Sequence, residues 1–491
     1  MLKGGSCGLV LVCAVVSGGG SFQFFNLAVV NPLLPILKEW MSDCYEKRSG
    51  ERPGEKLITL LIAVLASAVA AGACVGCLTT KVLANKLGRR NTLLLTGWFV
   101  IAAGILIYIS SVIRSPELLI LGRVIMGISL GVASGIVPMF LTECSPVKSR
   151  GFYGSVHQVS VAFSDISSLI IGMPFALGTK NLWPFALTLS AWPAIAMVLI
   201  LPFCPQSPRY LLISNKDQEK ARKSVYFYVK SSLAEYEFNK LCEEALESSK
   251  LSDDEPISRL RLFGAETRKA FIVSSVMMVA QQFGGVAVVF IYSTEIFQKA
   301  GFHETSAKYS TMVIGLAYFL CTIPALSLIE RWGRRPLALT QIGGCTLSIL
   351  MLAIFTGLRD YHNMGWASYG SAASLVGFMC CYGLGGTIAW IITSELFLQQ
   401  HRSAAVSVTT FLSWIQSNLI SLLYLPFQEA VGATFSFVPF IVVSTMCWIY
   451  LQLYLPETKN KNINDIIKSF QSEKDEKIPI RKPVSGDYTS G

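Results

Sequence analysis

The chain has 491 residues, of which 52% are hydrophobic and only 15% are charged. Soluble domains carry about a quarter charged residues, so this composition excludes an ordinary soluble protein and points to one embedded in a bilayer. The net charge of +10 is no nucleic-acid footprint: 19 of the 41 Lys and Arg lie in the central loop and C-terminal tail, where acids offset most of their charge and basic residues suit a cytoplasmic surface.

Apolar runs bounded by charges or by Pro and Gly predict twelve spans. They are 9–36, 57–80, 91–113, 116–141, 152–178, 183–203, 270–298, 308–329, 336–357, 366–393, 403–427 and 433–455. The start, Met1-Leu2-Lys3 before an apolar run, imitates a signal peptide, but the run continues to Leu37, too long for a signal's apolar core. It reads as a retained first span. The 13 cysteines are scattered, and Cys74-x-x-Cys77 sits mid-helix without a second ligand pair. Packing is expected of them, with no metal site, disulfide framework or cofactor.

The expected organisation is an all-α membrane protein of two six-helix bundles, 1–203 and 270–456. Between them lies a polar helical linker, 204–269, where Asn215 is expected to cap one helix and Ser232-x-x-Glu235 to open the next. A charged tail, 457–491, is expected to be disordered. An even span count puts both termini and the linker on one side, and the basic linker and tail favour the cytoplasm.

Three cues recur in the same order about 250 residues apart. Leu87-Gly88-Arg89-Arg90 follows span two, and Trp332-Gly333-Arg334-Arg335 follows span eight. Glu143 and Arg150 close span four as Glu395 and Arg402 close span ten. Pro205-Gln206-Ser207-Pro208-Arg209 follows span six, and Pro456-Glu457-Thr458-Lys459 follows span twelve. Such a repeat implies two halves related by an axis along the membrane normal, enclosing a central site. The charges at the helix ends either snorkel and anchor topology or form an ionic latch between the halves; their recurrence favours the latch.

Within span seven, Gln281-Gln282 precede Gly284-Gly285. Amides in hydrocarbon need partners, so the pair either glues helices together or faces a wet cavity. Because amides donate and accept at once, the second role suits a neutral polyhydroxy ligand.

Taken together these motifs resemble the sugar porters of the major facilitator superfamily, specifically the facilitative glucose transporter family. The resemblance covers roughly 10–460 and rests on Gly88-Arg89-Arg90, Gly122-Arg123, Pro138-Met139-Phe140 through Glu143 to Arg150-Gly151, and Ser207-Pro208-Arg209. The second half adds Gln281-Gln282, Tyr292-Ser293-Thr294, Glu330 with Gly333-Arg334-Arg335, Trp390 with Glu395, and Pro456-Glu457-Thr458-Lys459. It implies the major facilitator fold and a hexose held by Gln158, Gln281, Gln282 and Trp390, with Gln23 and Asn26 also fitting the pattern. It implies a cytoplasmic latch of Arg89, Arg90, Glu143, Arg150, Arg209, Glu330, Arg334, Arg335, Glu395 and Arg402.

The chain also departs from the family. Ala287 and Tyr318 stand where the family commonly has Asn, glycines replace prolines before Trp390, and Gln206 replaces a glutamate. On span eleven, Ser413, Ser417 or Asn418 faces the sugar according to a one-residue shift. Asp165, two turns after Gln158 on nearly the same face, has no family counterpart. It either accepts a sugar hydroxyl, carries a coupling proton, or is bonded by Ser164, Ser167 or Ser168.

The expected activity is uniport of a hexose such as glucose or fructose across the plasma membrane. Proton-coupled symport and sugar sensing without transport remain alternatives. An enzyme is not expected, since none of His157, His303, His362 and His401 sits beside an activated nucleophile or in a metal-ligand spacing.

Overall fold

The computed structural model describes residues 5–252, 268–397 and 399–459. Among these, eleven helices are long and apolar enough to cross a membrane. The remaining expected span is the 22-residue helix Arg150–Ile171, about 33 Å at the usual helical rise. Its His157, Gln158 and Asp165 reduce its apolarity, and spans one, four and eight shield it from lipid. The tail from Asn460 onward, expected to be disordered, lies outside the described residues.

Spans one, six, seven and ten, which read as single helices, are broken; span six divides into Trp183–Thr188 and Ala191–Ile200. Span one runs as Cys7–Gly19, a 3-10 turn Ser21–Phe24, a short Phe25–Ala28 helix and then Val30–Ser49. Span seven divides into Arg268–Phe283 and Val286–Lys299, with Gly285 at φ +88°. Only glycine takes that backbone readily, so the glycine pair does more than thin the helix. Span ten divides into Ala367–Gly385 and Ile388–Glu395 at the glycine run before Trp390. In the linker, Asp217 rather than Asn215 caps helix Gln218–Tyr228. Ser232 and Glu235 lie inside helix Ser231–Ser252, where Glu235 pairs with Arg222 at 2.9 Å instead of closing a capping box.

The apolar cores show how the halves meet. The linker lies on one face of the bundle, the linker face, opposite the far face. The largest cluster unites Val30, Leu33, Leu37 and Ile62 of the first half with Tyr292, Ile296, Tyr318 and Tyr424 of the second. It fills the far-face portion. Toward the linker face each half has its own core, one around Val137, Phe140 and Tyr228 and the other around Met277, Ile392 and Leu451. The halves are therefore fused from the far side to mid-depth, where Trp414 packs with Val69, Ala73, Cys77 and Leu130, and have separate cores toward the linker face.

Spans two and four approach through glycines. A Cβ on Gly72 would lie 2.0 Å from the Val124 carbonyl oxygen, and one on Gly127 would lie 2.1 Å from that of Val69. Small residues four apart on facing helices allow this backbone contact. Gly127→Leu should lower thermal stability in detergent by about 1–3 kcal/mol, read from the melting of purified protein. An unchanged melting temperature would mean that the helices separate without cost.

Candidate functional site

Polar side chains converge where the broken spans meet. Gln281, 3% exposed, is fully engaged: its Nε2 donates to the Gly386 carbonyl at 2.9 Å and to the Tyr382 hydroxyl at 3.2 Å, and its Oε1 accepts from Gln341 Nε2 at 3.0 Å. It thereby satisfies a carbonyl beside the break in span ten. Gln282 differs. Its Nε2 donates to Ser413 Oγ at 2.8 Å, while its buried Oε1 has no partner. Of the two readings for the pair, Gln281 takes the glue and Gln282 keeps a free acceptor. The Ser413 contact also sets the register of span eleven.

Gln158 comes from the other half. Its Nε2 donates to the Tyr318 hydroxyl at 3.2 Å, bridging spans five and eight. Tyr318, Tyr382 and Phe290 form one aromatic group with ring centroids 5.4–6.1 Å apart. The two tyrosine hydroxyls thus stand between Gln158 on one side and Gln281 on the other. Trp390 is half-buried against the linker-side core of the second half. Asn418 is half-buried and takes no hydrogen bond among the described residues.

Gln23 and Asn26 belong to the scaffold rather than to a ligand surface. Both are fully buried; Gln23 accepts from Ser129 at 2.7 Å and Asn26 from Ser190 at 3.0 Å. Asp165 is 5% exposed, and the serines around it do not reach its carboxylate. Ser164, Ser167 and Ser168 donate instead to the backbone carbonyls of Val161, Phe163 and Asp165. No described residue donates to the Asp165 carboxylate, which lies within electrostatic range of Tyr318 and Tyr382. The serine-bonded reading is therefore corrected.

Several members were missed in the sequence. Tyr382 and Gln341 complete the Gln281 bonds, and Gln416 and Trp414 each bury an unpartnered polar atom. Gln341 carries a signal only as an amide inside an apolar run, where it needs partners. Tyr382 reads as ordinary core. Chemically, free amide acceptors beside aromatic faces suit the hydroxyls and C–H faces of an uncharged ligand.

Comparison with known proteins shows the family of the chain. The family described as sugar (and other) transporter matches residues 12–470. The chain belongs to the facilitated glucose transporter family. Solute carrier family 2, facilitated glucose transporter member 3 of Ovis aries is 32% identical over 457 residues, covering 92% of this chain and 91% of that protein. The Mus musculus member 3 is 33% identical over 468 residues, covering 94% and 93%. The partially occluded, inward-open xylose transporter XylE from E. coli superposes with a TM-score of 0.75 at 18% identity, covering 93% of this chain and 100% of that one. That likeness shows the major facilitator fold.

At the linker face of this porter, the charged residues form two matching clusters, each inside its own half. In the first, Arg89 pairs with Glu143 at 3.0 Å and lies over the Tyr210 ring, and Ser207 donates to the same carboxylate. Gln206 Oε1 accepts from the Arg90 N–H at 2.6 Å. In the second, Arg334 pairs with Glu395 at 3.2 Å, and Thr458 donates to that carboxylate. Glu457 accepts from the backbone N–H groups of Arg334 and Arg335 at 3.0 and 3.1 Å. The correspondence extends to the backbone: Gly88 and Gly333 have φ +79° and +99°, and a Cβ on either would strike Gln206 or Glu457. Glu457 and Thr458, assigned by sequence to the tail, thus belong to the bundle.

Arg150 and Arg209 both reach Glu244 of the linker, at 3.3 and 3.7 Å. The side chains of Glu330 and Arg402 lie outside the described residues. Among the described residues no ion pair joins the halves at this face. The hydrogen bonds that do join them lie at mid-depth, as Gln158–Tyr318, or at the far face. There Asn31 Nδ2 donates to the Phe290 carbonyl and Ser293 Oγ, both at 2.7 Å, and Thr59 donates to Glu429.

Two tests follow from this geometry. Gln281→Ala strands three buried groups and should cost about 2–4 kcal/mol of stability, whereas Gln282→Ala should leave melting nearly unchanged. Equal melting losses in the two would remove the distinction between them. For Glu457, burial pushes the carboxyl up, but the N–H groups of Lys459, Arg334, Arg335 and Thr458 together hold it below its ordinary value of 4.5. Its contribution is full above the unfolded value and fades as pH falls through the lower folded one. Glu457→Gln should therefore flatten the melting profile on the acid side of 4.5; a parent profile already flat there would contradict the assignment.

Proposed function

We propose that this porter moves a neutral hexose, such as glucose or fructose, down its gradient by alternating access. The linker face and both termini are cytoplasmic in this reading, and the membrane is the plasma membrane. The observation that carries it is the buried, unpartnered Oε1 of Gln282, an amide whose Nε2 is held by Ser413 of span eleven. A sugar hydroxyl is the donor that this atom lacks. Trp390 supplies an indole face for the ring, and Asn418 a free amide on span eleven. The printed name of the relatives supports facilitated rather than driven transport.

In this cycle the Asn31 bonds and the shared far-face core hold the outside shut. Opening outward breaks them and brings the Arg89–Glu143 and Arg334–Glu395 clusters together across the linker face, where Arg402 completes the latch. Each pair keeps its partner inside its own half, so neither state is locked.

Uptake of radiolabelled hexoses into proteoliposomes tests the reading. Saturable equilibration of one hexose is expected, with Gln282→Ala weakening sugar binding by about 1–3 kcal/mol, roughly 5- to 150-fold in Kd. Binding without equilibration would make the protein a sensor, and neither would remove the hexose altogether. The bare carboxylate of Asp165 favours a second reading, coupling to protons. Sugar-dependent acidification in the parent, abolished in Asp165→Asn, is its expected signature. No proton flux in the parent removes coupling, and unchanged sugar affinity in the variant removes Asp165 as a ligand.

A further inference from the structure

A cleft of about 700 Å³ opens on the linker face between the end of span two, the start of span three and the first linker helix. Lys86, Arg90, Lys220 and Lys223 line it, and its lining contains no aspartate or glutamate. The Arg90 guanidinium is fixed but not neutralised: Nη1 donates to the Cys204 carbonyl at 2.8 Å, and Nε and Nη2 to Asn91 Oδ1 at 3.1 Å. Among the described residues, neither Lys86 nor Arg90 joins an ion pair. Lys220 and Lys223 pair only with Asp217 and Glu219 on their own helix, and both lysines are more than 70% exposed. Pairs so exposed contribute little and yield to a stronger anion.

The second half of the molecule serves as an internal control. Gln206, which lines this cleft, does for span three what Glu457 does for span nine. Where one half carries a carboxylate, the other carries a neutral amide, and the cleft is more positive by one charge. The helix cap survives the exchange. What changes is the charge presented to an incoming anion.

The surroundings narrow the occupant. Phe203, at the adjoining end of span six, is 85% exposed, and Leu87 and Phe227 on the cleft wall are 40% and 36% exposed. Apolar and aromatic side chains at the end of a span sit at the level of lipid headgroups. Basic pockets at that level on a cytoplasmic surface hold phosphorylated headgroups. We propose that this cleft binds a multiply phosphorylated lipid headgroup, with its acyl chains lying along Leu87, Phe203 and Phe227. A soluble polyphosphate matches the charge but makes no use of that apolar rim. The proposal uses the cytoplasmic placement of the linker face given above and is independent of which solute is carried.

The full-length protein in phosphatidylcholine nanodiscs containing a minor fraction of phosphatidylinositol 4,5-bisphosphate provides the test, with bound lipid counted by native mass spectrometry. Selective retention of the phosphoinositide is expected, falling at least about tenfold in the Lys86→Gln, Lys220→Gln, Lys223→Gln triple variant. Gln206→Glu, which copies the charge of Glu457, should reduce retention by about fivefold with the basic residues untouched. Retention unchanged in both variants overturns the site, as does equal retention of phosphatidylcholine. Soluble inositol trisphosphate binding as tightly as the lipid overturns the lipid assignment in favour of a free anion. Because the readout is bound lipid, a failure here is distinct from a failure of hexose transport.

Discussion

Arg123 lies fully within the bundle of the first half, 1% exposed, and joins no ion pair among the described residues. Its Nε donates to the Leu65 carbonyl at 3.1 Å and its Nη2 to the Asn26 carbonyl at 3.0 Å. Asn26 belongs to the segment where span one abandons regular helix. A chain in hydrocarbon must satisfy every backbone group from within, and the breaks in spans one and ten are each met by a dedicated side chain. Arg123 serves span one, and Gln281 serves span ten. Gln23 returns its amide to the Gly19 carbonyl at 3.1 Å. Breaks permit the halves to bend, and these donors make the breaks affordable.

Seen this way, polar residues inside the bundle divide by whether their bonding capacity is used up. Gln23, Asn26, Arg123 and Gln281 are bonded to the scaffold, whereas Gln282 and Gln416 retain an acceptor and Asp165 a whole carboxylate. Residue type alone does not make that division. It depends on which carbonyls the neighbouring breaks release, a tertiary fact.

This explains how much was legible in the sequence. Span positions, the two-half repeat and the glutamine pair were legible, because hydrophobic length and recurring charged motifs are local signals. The fifth span was legible despite its polarity because its flanking charges bound it. The breaks were only partly so: a glycine pair marks a weak point, but whether the helix stays continuous depends on what packs against it. Gln23 and Asn26 look identical to ligand-binding amides until Ser129 and Ser190 come into place beside them. The charged motifs were legible as clusters but not as partnerships, since Arg150 turned to Glu244 of the linker, a contact no periodicity announces.

The two faces of the seam are held by different physics, and the difference bears on how such a molecule moves. At the far face, apolar burial and neutral hydrogen bonds join the halves, as Asn31 shows with Phe290, Ser293 and Thr294. Those contacts are short-ranged and are lost within an ångström or two of separation. At the linker face, charges are gathered inside each half, where Glu143 and Glu395 are each held by an arginine and a hydroxyl. Such clusters act over several ångströms through poorly screened space. A seam that opens on one side and closes on the other trades steep interactions for gradual ones. Because Glu143 and Glu395 each find an arginine within their own half, parting the halves at the linker face bares neither carboxylate. The transition then costs only the difference between two partly satisfied seams. The amide of Gln206, standing where the second half has Glu457, keeps the corresponding cap to Arg90 and leaves the linker face there more positive by one charge.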